Sequence, residues 1–360
     1  MADQLKDMFD LTKLTKLSQE IHKHYKKFDQ QNFLSVFKTK EWQEAALNAR
    51  VRLVSVSIEK NLNLPYEKAI EVLIPVSWKT PTGYFSIIFP DFVWRFGLDQ
   101  FEVSMKALEE FTQTSSGEFA IRHFIVKYPA KTIKQMMRWS KSENHHLRRL
   151  SSEGCRPRLP WGMQLKSFVA DPTPVLPILE QLKNDPSLYV RKSVANHLND
   201  ISRDHPELAI KIAKEWLGKS PETDWIVNHA LRTLLKKGNK KALALFGHHN
   251  ADGIEVSDLA LSTTKVKIGG QLQFQFSIEN TRKKSAACRI EFAVDYMKAN
   301  GSHSRKVFQV SKSELAVGRL NISKKLSLAD LTTRKHYPGK HELHILLNGE
   351  VKASAAFLLQ

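Results

Sequence analysis

From about residue 4 to residue 247 the apolar positions recur every three or four residues, in segments of roughly 10 to 20 residues broken by Pro, Gly, Asp and Ser. Runs such as KAIEVLIPV, DQFEVSMKALEEFTQ, PVLPILEQLKN and ELAIKIAKEWLG therefore predict amphipathic helices joined by short turns. Beyond residue 250 the period changes to alternation. Lys265–Ile268, Leu272–Ile278, Cys288–Val294, Lys306–Val310, Glu342–Leu347 and Ala353–Leu359 read as strands, with Gly269-Gly270, Asn300-Gly301 and Asn348-Gly349 as turns.

The helical part is partly repetitive. Aligning His146-Leu147-Arg148, Tyr189-Val190-Arg191 and Trp225-Ile226-Val227 gives steps of 43 and 36 residues between Leu147, Val190 and Ile226, which suits HEAT-like repeats. The expected fold is a multidomain α-then-β chain: a HEAT-like α-solenoid over residues 1–250, then a C-terminal immunoglobulin-like β-sandwich of roughly seven strands over residues 251–360.

Composition narrows the partners. Lys plus Arg total 55 against 37 Asp plus Glu, a formal net charge of +18, and the excess is spread over both parts. A sequence pI near 9.7 favours a polyanion, nucleic acid before membrane. Two distant cysteines, Cys155 and Cys288, support neither a disulfide framework nor a cysteine metal site and suit a reducing cytoplasm. No stretch approaches about 18 apolar residues, and MADQLKDMFD lacks the marks of a signal peptide, so a soluble protein is expected. HExxH, phosphate loops and GxSxG are all missing, so no metal or cofactor is expected. Carboxylate chemistry in a basic groove is what remains.

One run concentrates that chemistry: Ser151-Ser152-Glu153-Gly154-Cys155-Arg156-Pro157-Arg158-Leu159-Pro160-Trp161. A glutamate among arginines ordinarily fixes a helix end as an ion pair. Here Gly154 and Pro157 break a repeat helix beside it, next to an indole that reads as buried. Asp200 is placed at the C-terminal end of the Val190–Asn199 helix, against the dipole, where it either caps the next turn or serves a site. Glu118 opens another repeat helix, where a negative charge is favoured without function. Arg122, Arg148, Arg156, Arg158, Arg191 and Lys192 fall near inner-helix starts and together form a candidate phosphate track, though each alone reads as a solvated charge.

The SEGCRPRLPW run, with Phe89-Pro90-Asp91-Phe92-Val93 and Val190-Arg191-Lys192-Ser193-Val194-Ala195-Asn196-His197-Leu198-Asn199-Asp200, resembles the HEAT-like-repeat DNA glycosylases, and among them the AlkC branch. The resemblance spans about residues 4–247, and the C-terminal part is similar to the Ig-like extension of one AlkC subgroup. It implies excision of cationic N-methylated bases (3-methyladenine, 3-methylcytosine, 1-methyladenine) from duplex DNA by a monomeric, monofunctional enzyme. It also implies Glu153 and Asp200 as leading carboxylates, Glu118 as a third, and Trp161 as the ring against lesion or sugar. Arg156, Arg158, Arg191 and Lys192 would hold flanking phosphates. The competing readings are a non-catalytic DNA-binding solenoid and a protein-interaction scaffold.

Overall fold

Neighbouring helices in the first part of the chain pack on one another, and Glu153 and Asp200 lie on two that touch. The structure is a computed structural model that describes residues 5–249, 251–331 and 335–360. Two compact units emerge: one runs to Ala209 and takes in Glu215–Ala230, the other holds Ile210–Lys214 and Leu231–Gln360. Among the described residues no helix is long and apolar enough to cross a membrane.

Within the first unit the Ile88–Phe96 helix meets Ala120–Lys127, and His145–Glu153 packs on Leu188–Asp204, which in turn meets Pro221–Ala230. Leu188–Asp204 shows why. Val190, Val194, Leu198 and Ile201 repeat at helical spacing and are essentially fully buried, each contributing roughly 1.5–3 kcal/mol. A second stripe, Ser193, His197 and Asp200, is polar and equally buried, so it must find partners on the neighbouring helix. The helix extends to Asp204, so Asp200 lies inside it and not at its end, a correction to the expected boundary.

The second unit ends in eight strands: β1 (Ile254–Leu261), β2 (Lys265–Val266), β3 (Gln271–Asn280), β4 (Ala286–Met297), β5 (His303–Leu315), β6 (Gly318–Ser327), β7 (Gly339–Leu347) and β8 (Glu350–Leu359). They form a sheet of order β1-β3-β6 and another of order β2-β8-β7-β4-β5, and their apolar faces share one core that includes Phe274, Phe276, Phe292, Leu343 and Ile345. β1 and β6 were not expected. A register shift after Ser257, with Asp258 at φ 55°, breaks the alternation of β1, and β6 is mostly exposed and polar. Cys288 is a buried free thiol, so no disulfide joins the sheets, and Asn280 on β3 donates across to the Leu315 carbonyl on β5 at 3.0 Å.

Candidate active site

The buried polar stripe on Leu188–Asp204 is satisfied by the end of the His145–Glu153 helix. Ser193 donates to Oε2 of Glu153 at 2.6 Å, His197 Nδ1 lies 3.0 Å from the Ser152 carbonyl, and Arg156 Nε donates to Oδ2 of Asp200 at 2.8 Å. Arg156 Nη1 also donates to Oε1 of Glu153 at 2.7 Å. One guanidinium thus ties together two carboxylates that are 44 and 3 residues away in sequence.

The network continues toward the surface. Arg149, one helical turn before Glu153, approaches Oε1 of Glu153 at 3.5 Å, donates to Oε2 of Glu118 and to the Ser116 hydroxyl, and lies 5.1 Å from the Tyr189 ring centroid. Glu118, Arg149, Glu153, Arg156 and Asp200 therefore alternate in sign, three acids to two bases. Burial works against the charge of both arginines, but the flanking acids outweigh it and their pKa values rise. Burial pushes Asp200 above the usual carboxylate range in spite of Arg156.

An open groove collects these groups. Its lining includes Glu118, Arg149, Glu153, Arg156, Trp161 and Tyr189. Asp200 is absent from that lining. It lies behind Arg156, 3% exposed.

Trp161 owes its place to the segment after Glu153. Gly154 caps the helix at an ordinary φ of −65°, but a Cβ there would meet Ile121 Cγ2 at 2.5 Å, so close packing of the Ala120–Lys127 helix requires glycine. Arg122 then pins the segment: its Nη1 donates to the carbonyls of Gly154 and Arg156 at 3.0 and 2.8 Å, and its Nε to that of Met163 at 2.6 Å. Between these points Trp161 sits at φ 62°, 69% exposed. The indole read as buried is in fact displayed, at a backbone conformation that costs a non-glycine residue about 1–3 kcal/mol.

The expected phosphate track is corrected by the same geometry. Arg122 is fully buried and is a clamp on carbonyls, out of reach of a phosphate. Arg156 is buried between two acids. Arg148 pairs with Asp185 and also holds the carbonyls of Ser142 and Glu143, while Arg191 holds those of Asp185 and Pro186; together they lock the turn that starts the Leu188–Asp204 helix. Arg158 pairs with Asp204 near the surface. Lys192 is exposed, with no ion pair among the described residues. Arg149, Ser193 and His197 were not singled out as site residues. The sequence signal for them was spacing: Arg149 four residues before Glu153, and Ser193 and His197 in line with Asp200 at helical spacing.

Comparison with known proteins places this geometry in context. Residues 109–236, which hold every member of the network, match the model of the DNA alkylation repair enzyme family. Residues 255–360 match the C-terminal Ig-like domain of the uncharacterised protein YhaZ. YhaZ of Bacillus subtilis is 45% identical over 358 residues, 99% of each chain. Among solved structures, the alkylpurine DNA glycosylase AlkC of Pseudomonas fluorescens, bound to DNA containing an abasic site analogue, is 38% identical with a TM-score of 0.96, covering 99% of this chain and 100% of that one.

Proposed function

Because the chain belongs to the AlkC-type family of DNA alkylation repair proteins, in the branch with a C-terminal Ig-like domain, we propose that it is a monofunctional DNA glycosylase acting on cationic N-methylated bases in duplex DNA. The observation that carries this reading is the groove in which Glu118 and Glu153 stand on either side of Arg149 with Trp161 displayed beside them.

A cationic methylated base is already a good leaving group. As the C1′–N bond breaks, its electron pair goes to the base and positive charge develops on the deoxyribose. Carboxylates held rigidly by arginines stabilise that charge with little reorganisation, which is the main route by which such sites lower a barrier. Arg149 and Ser116 both engage Oε2 of Glu118, leaving Oε1 without a hydrogen bond among the described residues and able to orient the attacking water. That water bonds to C1′ and gives up its proton to a groove carboxylate or to solvent, leaving an abasic site. Glu153 faces the sugar as the fixed negative charge. Asp200 acts through Arg156 and is a positioning residue. Trp161 offers its π face to lesion or sugar. Lys192 and Arg158 contact flanking phosphates.

The test is release of free bases from dimethyl-sulfate-treated duplex, identified by mass spectrometry, with Glu153→Gln and Glu118→Gln assayed under single turnover. Each substitution should cut base release by at least about a hundredfold while binding to abasic duplex persists. A protein that binds DNA and releases no base would be a DNA-binding solenoid instead.

A further inference from the structure

The helix Pro129–Trp139 buries Thr132, Gln135, Met136 and Trp139, and on another side it carries a second apolar stripe, Ala130, Ile133 and Met137, at helical spacing. That stripe faces a groove whose far wall is Pro174, Pro177 and Ile178, from the turn Thr173–Val175 and the helix Leu176–Leu182. Ile133 and Met137 are half-buried and both prolines are exposed, so the apolar floor is open to solvent. Alongside it runs a cationic stripe, Lys134, Arg138 and Lys141, which lines the same groove. The helix contains no acidic residue, and none of the three cations makes an ion pair or a side-chain hydrogen bond among the described residues. Elsewhere surface lysines have a glutamate three residues away, as in Lys23–Glu20, Lys68–Glu71 and Lys183–Glu180. Like charges four residues apart repel, so the spacing of Lys134 and Arg138 does nothing for the helix itself. No residue of this groove lines the carboxylate groove.

We propose that this groove is a docking site for an acidic amphipathic helix of a partner protein, whose apolar side chains seat against Ile133, Met137 and Ile178 while its carboxylates pair with Lys134, Arg138 and Lys141. A helix laid in such a groove presents anchors at i, i+3 or i+4, and i+7. The stripe from Ala130 to Met137 covers about 10 Å, two helical turns, which is the span of those anchors. Pro174 and Pro177 form a rigid wall with no rotamer freedom to lose, and Met137 is flexible enough to fit the anchor it meets. Two other occupants suit the groove less well. Duplex DNA answers the cations with phosphates but leaves the apolar floor unfilled. A second copy of the chain brings the same net charge of +18 and is repelled at long range. The site stands independently of the glycosylase reading.

The probe is a peptide of leucine and glutamate about 18 residues long, enough to hold a helix in isolation, with its leucines on one face. A scrambled peptide of the same composition and an undamaged DNA duplex are the comparisons. Full-length protein labelled at its methionine methyl groups is titrated by NMR, the Met137 signal being assigned with Met137→Leu. The amphipathic peptide should bind saturably, shift the Met137 signal, and bind at least about tenfold more tightly than the scrambled one. Charge reversal with Lys134→Glu and Arg138→Glu together should weaken that binding by about tenfold. The same variant should bind the leucine–lysine counterpart of the peptide more tightly than wild type does, a gain that a misfolded variant would not show. Equal binding of the amphipathic and scrambled peptides would reduce the face to a solvated cationic surface. A Met137 signal that moves with duplex and not with peptide would make it a nucleic-acid contact, and one that moves with protein concentration alone a self-association face. Any of these results, or a Met137 signal that none of the additions moves, overturns the proposal.

Discussion

Ser193 donates its hydroxyl to Oε2 of Glu153 at 2.6 Å, across the contact between two inner helices. The other oxygen of the same carboxylate is shared by Arg156 and Arg149. A glutamate held from three directions has lost its rotamer freedom before any substrate arrives, and that fixed geometry is what electrostatic catalysis requires.

Ser193→Ala tests this. The variant removes one hydrogen bond to a charged acceptor, worth about 1.5–3 kcal/mol. Single-turnover base release is expected to fall by about tenfold or more with affinity for abasic duplex unchanged. An unaltered rate would mean that Glu153 is positioned by the arginines alone.

Trp161 is expected to set stability against activity. Replacing it by glycine relieves the left-handed backbone and removes little buried surface, so the denaturation midpoint should hold or rise, by up to about 1 kcal/mol of stability. Base release should drop by at least about tenfold. A clear loss of stability would show that the exposed indole packs more than its 69% exposure indicates.

Arg122 is expected to behave in the opposite way. Burial brings its guanidinium down to about 10, so it remains charged near neutrality. Arg122→Met leaves three carbonyls without their donor, at a cost of about 3 kcal/mol or more. Urea denaturation should report that loss. Hydrogen exchange at the Gly162 and Leu165 amides, which bond to Leu159 and Pro157 inside the pinned segment, should accelerate.

His197 makes the first unit acid-sensitive. Burial drives its pKa from 6.5 down to about 3, so the folded state keeps the ring neutral while the unfolded chain takes up a proton. Between those values the unfolded state binds more protons, and stability falls as pH falls from about 6.5 toward about 3. The melting temperature should be lower at pH 5 than at pH 7, and His197→Asn, which removes the titration, should narrow that gap. An identical gap in both proteins would assign the sensitivity to other groups.

The motif residues were legible in the sequence because they are close together or stand out against their surroundings. Glu153, Gly154, Arg156 and Trp161 occupy nine residues, and the helix does end where Gly154 was expected to break it. The roles of the arginines were not legible. Arg122, Arg148 and Arg191 have the same side chain and similar positions near helix starts as a phosphate-binding residue, and only their partners distinguish them. Those partners are carbonyls and acids from other segments, up to 41 residues away for the Met163 carbonyl held by Arg122.

By itself the sequence determined that this chain is helical and then β-rich, that it is strongly basic, and that its acid, glycine and indole fall at one interrupted helix, because periodicity and local backbone chemistry act over a few residues. The tertiary structure decided which charges reach the groove. Pairing energy depends on distance and burial, so Arg156 became a strut between Glu153 and Asp200, Arg122 a clamp within the core, and Trp161 an exposed ring lining the groove.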